Sequence, residues 1–412
     1  MQFVAEGRGE LDPVAIEAAV RTAGAAHPGA SLWVEGFLHK TYWRQTGAIP
    51  PLTVVEAPDW GGRSSSPLLG RLEKPLEVHG GPSCEVLLVR GSRQWVVVRG
   101  HHAVMDGVAL REILFDIFRA LRGEPLAGSV AGPLTTPLIG QQFPQEPRVP
   151  RQPERFAAMT GRPEGSDIGR VWLRRTVPVE GSGVLPRLIE AVIGAARKRS
   201  EGPWRISVPV DLRRHRPGLR SSANLTGGVE FEGGAEAFAA EEVRRRLADA
   251  LASGAECRYV TALERIHWLP LGLLEWAGRR MLEKTAARDV HGLSAVVSNL
   301  NRQSLQSLAA PGWVPEGLFM IPPGSLQLPL FLSAVGHEGG LELCASAPAR
   351  LATNGRLEEL LTETAQALAS GPGLASQLRR LDDEVRRAER DPGGFPDGSD
   401  GRESELPDAR RR

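Results

Sequence analysis

Between residues 99 and 121 the chain reads RGHHAVMDGVALREILFDIFRAL. Two adjacent histidines, His101 and His102, close a run of valines, and Asp106-Gly107 then opens a strongly periodic segment. A strand ending at His102 and a helix starting near Asp106 leave a tight turn, Ala103-Val104-Met105. In such a turn Asp106 can cap the helix, and Gly107 lets another backbone approach closely. A histidine held outward there has little rotamer freedom. Its neutral imidazole, with an ordinary pKa of about 6.5, can take a proton from a hydroxyl or an amine near neutral pH. The residues alone leave a plainer alternative open, in which both histidines are packed and the Asp-Gly only caps a helix. Zinc is disfavoured, because neighbouring strand residues point to opposite faces and the other histidines offer no H-x-x-x-H pair.

Several elements must position this turn. QFVAEGRGELDPVAIEAAVRTAGAAHPGA reads as a strand and then a helix, with Asp12 at the N-cap and Pro13 at the first helical position. Ile16, Ala19, Val20 and Ala23 give that helix its apolar face. SLWVEGFLHKTYW and LTVVEA read as strands, and CEVLLVRGSRQWVVVRGHHAV as a hairpin turning at Gly91-Ser92. Residues 123 to about 169 are rich in Pro and Gly without sustained periodicity, as expected of a crossover between domains. The second half repeats the strand-then-helix pattern: GRVWLRRTVPV, a helix marked by Leu185, Leu188, Ile189, Val192 and Ile193, then WRISVPVDLR and the loop RHRPGLRSSANLTGG. A helix around Phe238 to Leu251 and an interrupted helical region at about 261–284 follow. LSAVVSNL is a strand, LPLFLSAVGHEGGLELCAS a hairpin, and a last helix runs from near Asn354 to about Ala369. From about residue 391 the tail has nothing apolar to bury and is expected to be disordered.

Bulk properties bound the function. A chain of 412 residues suggests two domains of about 150–200 residues. Apolar content of 41% with 24% charged residues describes a folded soluble protein. The net charge of +1 offers no argument for nucleic-acid binding. The 46 arginines against 4 lysines read as the bias of a GC-rich bacterial coding sequence rather than as a binding surface. Cys84, Cys257 and Cys344 match no metal-ligand or disulfide spacing, which fits a reducing cytoplasm. There is no signal-like N-terminus, and no apolar run reaches the ~18 residues of a membrane span.

HHAVMDG resembles the HHxxxDG signature of the condensation-domain-like, CoA-dependent acyltransferase superfamily. That group includes condensation domains of nonribosomal peptide synthetases, polyketide-associated acyltransferases, wax ester synthases, plant BAHD acyltransferases and, more distantly, chloramphenicol acetyltransferase. GRGELDPVAIEAAVRTAGAAHPG is similar to the opening strand and helix of these proteins, VPVDLRRHRPG…NLTGG to the segment at the second domain's core strand, VVSNLNR to their Ser-Asn strand, and LPLFLSAVGHEGGLELCAS to their last hairpin. The likeness thus covers nearly the whole chain in order. It lacks the plant-type DFGWG, the S-x-A-Q-x-R-x-W run and the H-Q-D-x-P-F-E-like segment of synthetase condensation domains, and no adenylation or carrier domain is expected beside it.

The resemblance implies an α+β fold of two chloramphenicol-acetyltransferase-like lobes in a V with a central tunnel. The expected division is 1–165 for the lobe carrying the motif, 166–390 for the second lobe and 391–412 for the tail. It implies a stand-alone acyltransferase moving an acyl group from a CoA or carrier-protein thioester to a hydroxyl or amine, in bacterial natural-product or lipid biosynthesis. The alternative is a non-catalytic relative that docks a carrier protein or recruits an enzyme. His102 would be the general base or positioning group, His101 would be packed, and Asp106 would turn from the substrate to pair with Arg213, or failing that Arg214. Ser298, Asn299 and Asn224 are candidate substrate or oxyanion contacts, with strand-end or loop-stabilising roles as the bland alternatives. The cluster Arg213, Arg214, His215, Arg216 and Arg220 could meet a phosphate of CoA or phosphopantetheine, or simply be solvated. No resident cofactor or metal is expected, the acyl-CoA or phosphopantetheinyl thioester being a co-substrate. The expected partners are a small-molecule acceptor and an acyl or peptidyl carrier protein, with the chain itself a monomer. A Ser-His-Asp hydrolase is disfavoured by the absence of a G-x-S-x-G elbow.

Overall fold

Valine-rich strands and amphipathic helices pack into two sheets, each with helices on one face. The computed structural model describes residues 1–370 apart from 37–40, 65–69, 71, 73, 75, 77, 131–155, 166, 168, 180–182, 258–269, 271, 275, 279, 281–290 and 325–327. In the first sheet β1 (Gln2–Gly9), β4 (Leu52–Glu56), β5 (Cys84–Arg90) and β6 (Gln94–Gly100) are joined by β11 (Trp313–Ile321), in the order β11-β1-β6-β5-β4. The second sheet holds β7 (Arg170–Val177), β8 (Trp204–Asp211), β9 (Thr226–Gly233), β10 (Ala295–Arg302), β12 (Phe331–His337) and β13 (Gly340–Pro348), in the order β7-β13-β12-β10-β8-β9. A separate ribbon pairs β2 (Leu32–Glu35) with β3 (Tyr42–Gln45), so the run expected as one strand from Ser31 is two.

The first sheet carries α1 (Pro13–Ala26) and α2 (Gly107–Leu121). Asp12 caps α1 by accepting from the Val14 N–H at 3.0 Å, with Pro13 just inside, where its missing N–H costs nothing. In α2 the buried Leu110, Ile113, Leu114, Ile117 and Phe118 recur at helical spacing and share a core with Val86, Leu88, Val96 and Val98. The other face of β5 and β6, with Leu87, Val89, Trp95 and Val97, meets Trp172 of β7 and Cys344 of β13. Burial on both faces explains why these strands read as continuous apolar runs rather than alternating ones. The second sheet is covered by α3 (Val184–Ala196), α4 (Ala240–Ala252) and α5 (Arg356–Ala369), whose apolar faces join Ile206, Phe231, Val297 and Leu343 in one core.

Two strands were not anticipated. β9 begins with glycines inside the stretch expected to be loop, and β11 lies in a segment to which no element was assigned. β11 crosses from the second half of the chain and pairs antiparallel with β1, Gln2 opposite Ile321, so each sheet is not built from one continuous half. The expected crossover falls largely on residues 131–155, and the helical region at 261–284 mostly on 258–269 and 281–290. These, like the tail at 391–412, lie outside the described residues. The crossover's described start is anchored, since Ala127 and Gly128 donate their N–H groups to the buried Asp116 carboxylate of α2 at 2.9 and 2.8 Å. The three cysteines are buried and none forms a disulfide.

Candidate active site

β6 ends at Gly100, before rather than after the histidines. The chain turns there because the His101 carbonyl accepts from both the Val104 and Met105 N–H groups, at 2.9 and 3.0 Å. Both histidines therefore belong to the turn, and the strand alternation used to argue against zinc does not apply to them. Asp106 follows as the N-cap of α2, accepting from the Ala109 N–H at 2.8 Å. Gly107 sits so close to the second half of the chain that a Cβ would lie 3.1 Å from the Met320 sulfur and 3.3 Å from a Leu300 methyl. A larger residue would push the turn away from β10 and β11.

Within the turn His102 is fixed by its own backbone. Its Nδ1 lies 3.1 Å from the Met105 carbonyl oxygen, which can only accept, so Nδ1 carries the proton and Nε2 keeps a lone pair. The ring is exposed to water, yet enough protein surrounds it for desolvation to lower its pKa below the ordinary imidazole value, against the opposing Met105 hydrogen bond. Desolvation thus favours the neutral form of an imidazole whose orientation the Met105 carbonyl sets. His101 differs: its Nδ1 is buried without a partner among the described residues, its ring lies 6.0 Å from that of Trp43, and burial lowers its pKa as well.

Asp106 is 2% exposed and faces away from His102. Its oxygens take Arg213 Nη1 at 2.9 Å and Arg213 Nη2 at 3.3 Å, and the Leu225 N–H at 2.8 Å. Arg213 also donates to Asp211 at 2.8 Å and to the Ser221 and Ala223 carbonyls at 2.9 and 2.7 Å, so its planar fork is filled. Burial pulls the Arg213 pKa down, but the carboxylates of Asp106 and Asp211 outweigh it and the net shift is upward. Asn224 closes the same junction, its Nδ2 donating to the His102 carbonyl at 2.7 Å and its backbone N–H to Val104 at 2.5 Å. Its Nδ2 is thus committed to the backbone of the turn, while its Oδ1 is buried without a partner among the described residues.

The remaining candidates separate. Ser298 is buried on the face of β10 that also carries Leu300, the residue packed on Gly107. Asn299 takes the next position and accepts from the Asn301 N–H at 3.1 Å, where the pairing of β10 with β12 shifts register before Arg302. Arg214 and His215 leave the motif and both donate to one oxygen of the buried Glu256, at 3.2 and 3.0 Å, while Arg220 donates to the Ala127 carbonyl at 2.8 Å. His215, Glu256 and Cys257 do bring three potential metal-ligating atoms within 4.8 Å of one another. Arg214 already supplies positive charge to that carboxylate, and burial pushes the Cys257 thiol up to about 11, away from the thiolate a metal prefers. Sequence reasoning missed the Met105 carbonyl, the Ser221 and Ala223 carbonyls and Asp211, most of them backbone groups that carry no residue signature.

No protein-family profile matches the chain, and no curated protein sequence does. Solved structures do. The condensation domain of the monacolin K polyketide synthase MokA superposes with a TM-score of 0.55 at 11% identity, over 89% of this chain and 91% of that one. The first condensation domain of the calcium-dependent antibiotic synthetase, in complex with a substrate analogue, gives 0.57 at 14% identity, over 89% of each chain. The chain has the condensation-domain fold. Condensation domains consist of two chloramphenicol-acetyltransferase-like lobes, whose cores here are the two sheets. A further structure of this fold, polyketide synthase associated protein 5 from Mycobacterium tuberculosis, gives a TM-score of 0.54 at 16% identity over 90% of this chain and 93% of that one. Among the described residues no helix of this condensation-like chain is long and apolar enough to cross a membrane.

Proposed function

We propose that the protein is an acyltransferase that moves an acyl group from a CoA or phosphopantetheinyl thioester to a hydroxyl or amine, with His102 as general base. The observation that carries this reading is the geometry of His102: Nδ1 lies against the Met105 carbonyl, which leaves Nε2 as the nitrogen available to take a proton, on a ring accessible to solvent whose pKa desolvation lowers. Nε2 takes the acceptor's proton as its oxygen or nitrogen attacks the thioester carbonyl. The tetrahedral intermediate then collapses, the C–S bond breaks, and the imidazolium returns the proton to the departing thiolate. Asp106 and Arg213 act by holding the turn, because both carboxylate oxygens are turned to Arg213 and backbone donors rather than to the imidazole. The condensation-domain fold agrees with this chemistry, and a carrier protein is the natural bearer of a phosphopantetheinyl donor.

The test is release of free thiol from a panel of acyl-CoA and acyl-pantetheine donors, each offered with amine and alcohol acceptors. Acceptor-dependent thiol release by the wild-type chain that disappears in His102→Ala is the expected result. Turnover that survives the substitution removes His102 from the mechanism, and absence of turnover across the panel favours a carrier-docking role instead.

A further inference from the structure

Two buried serines outside the motif join backbone segments that are far apart in the chain. Ser83, just before β5, and Ser222, in the loop between β8 and β9, are 0% and 4% exposed. Between them stands Gly29, which follows α1 in the run HPGAS. The Gly29 N–H donates to Ser222 Oγ at 2.8 Å, and the Gly29 carbonyl accepts from Ser83 Oγ. The Ser83 carbonyl in turn accepts from the His101 N–H at 2.8 Å. A Cβ on Gly29 would lie 2.6 Å from the Ser222 carbonyl oxygen and 2.7 Å from its hydroxyl oxygen, so glycine is what lets the two lobes come this close.

Ser222 also lies two residues before Asn224, whose Nδ2 holds the His102 carbonyl. The bonds therefore close a circuit: His101 to Ser83, Ser83 to Gly29, Gly29 to Ser222, then along the chain to Asn224 and back to His102. The start of the crossover supports it from a third side. Ser129 Oγ lies 3.1 Å from Ser222 Oγ, the Ser129 N–H donates to the Ala26 carbonyl at 2.9 Å, and the Val130 N–H to the Arg220 carbonyl at 2.9 Å. Asp116 fixes that segment through Ala127 and Gly128. Among the described residues the His102 ring hydrogen-bonds only to its own turn, so where Nε2 points depends on where the turn is carried. Asp106 and Arg213 fix the end of the turn at α2 and make no hydrogen bond to His101 or His102 among the described residues. The end at β6 is held by the circuit.

We propose that Ser222 is a positioning residue for His102: its hydroxyl ties the loop of the second lobe to Gly29 of the first and so sets the place of the motif turn between them. This role rests on the reading of His102 as general base, although the state of the ring can be measured without turnover. Removing the hydroxyl leaves the buried Gly29 N–H without its acceptor and frees the loop that carries Asn224 to draw away from Gly29. The His102 carbonyl then loses a fixed anchor. The Met105 bond lies wholly within the turn and cannot restrain a movement of the turn as a whole. Such a movement shifts Nε2 without unfolding either lobe, and a misplacement of about 1 Å is enough to slow catalysis by an order of magnitude or more.

The test sets Ser222→Ala and the milder Ser129→Ala against Thr364→Val, which removes a buried hydroxyl that donates to the Leu360 carbonyl one turn back in α5. In the full chain carrying ¹³C-labelled histidine, the His102 ring signals are identified by their loss in His102→Gln, and the Cδ2 shift reports which nitrogen holds the proton. One narrow signal of the Nδ1-protonated form is expected at alkaline pH in the wild type and in Thr364→Val. In Ser222→Ala it is expected to broaden or to move toward the Nε2-protonated form that an unconstrained imidazole prefers, and in Ser129→Ala to do so to a smaller extent. Where the donor panel gives turnover, kcat is expected to fall about tenfold in Ser222→Ala with KM changed by less than about twofold. An unchanged His102 signal in the folded serine variants, or in whichever of them folds, overturns the proposal. So does an equal change in Thr364→Val, which would mean general loosening. A wild type without turnover that still shows the Ser222-dependent signal removes the acyltransferase reading and leaves the positioning of the ring standing.

Discussion

Arg213 reaches across from the second lobe and grips both oxygens of Asp106, at 2.9 and 3.3 Å, in a pair almost closed to water. The same carboxylate caps α2 through Ala109, so one side chain fixes the start of the motif helix and joins it to the other lobe.

Asp106→Ala is therefore expected to cost about 3–5 kcal/mol, because it breaks a buried ion pair, leaving the guanidinium to the more exposed Asp211, and removes a cap as well. The check is a denaturant unfolding curve beside soluble yield. Loss of activity with unchanged stability would place Asp106 in the chemistry instead. Arg213→Lys is expected to destabilise too, since an ammonium cannot span Asp106, Asp211 and two carbonyls at once.

His102→Ala should reduce acyl transfer by about 10²–10⁴-fold, the usual worth of a positioned general base. Melting should stay close to wild type, because the ring's one hydrogen bond is to its own turn. Near wild-type turnover by the variant would remove His102 from the mechanism.

The pH profile supplies a separate reading. Desolvation lowers the His102 pKa, so the proton that would block it binds only below the ordinary imidazole value of about 6.5. The acid limb of kcat/KM should accordingly fall below that value and vanish from the residual rate of His102→Ala. An acid limb well above it would mean that another group carries the proton.

Acid should weaken the second sheet through Glu342, which binds Arg174 and Thr176 of β7 and His337 of β12. Burial raises its pKa, but hydrogen bonds from His337 and Arg174 prevail and hold it at about 2, against an ordinary 4.5. A depressed carboxylate stabilises the fold above the ordinary value and loses that contribution as pH falls toward the folded one. Stability should decline between pH 4.5 and 2, and more gently in Glu342→Gln, as followed by thermal melts across that range. Identical slopes for the two proteins would remove Glu342 as a source of the acid sensitivity.

Much of this was legible in the sequence because it rests on residue type at fixed spacing. Asp12-Pro13 marks α1, the apolar runs mark β5 and β6, and Asp106-Gly107 marks the cap of α2. What could not be read rests on groups without residue identity. The carbonyls of Met105, Ser221 and Ala223 orient His102 and Arg213, and any residue could have supplied them. The end of β6 was set two residues late because the turn depends on one carbonyl at His101 receiving two N–H groups. WVPEGLFMI hides a strand behind Pro315 and Gly317, yet Pro315 faces Gly7 at the shift in register between β1 and β11, where a missing N–H is tolerated. TGGVEFEG hides another because its glycines read as loop. Asp116 was the overlooked signal: an acid on the apolar face of α2, fully buried, that binds His27 at 2.8 Å.

The pairing of Gln2 with Ile321 also fixes an order of events on the ribosome. The motif turn and α2 are translated early, but the sheet beneath them lacks its outer strand until the chain has been made as far as Ile321. Through that interval β1 presents an unpaired edge beside the core residues Phe3, Val4 and Ala5, the kind of edge on which nascent chains stick to one another. The protein thus cannot finish the lobe that carries His102 before most of the other lobe exists, and a chain interrupted between the two would leave the exit tunnel with its first sheet open.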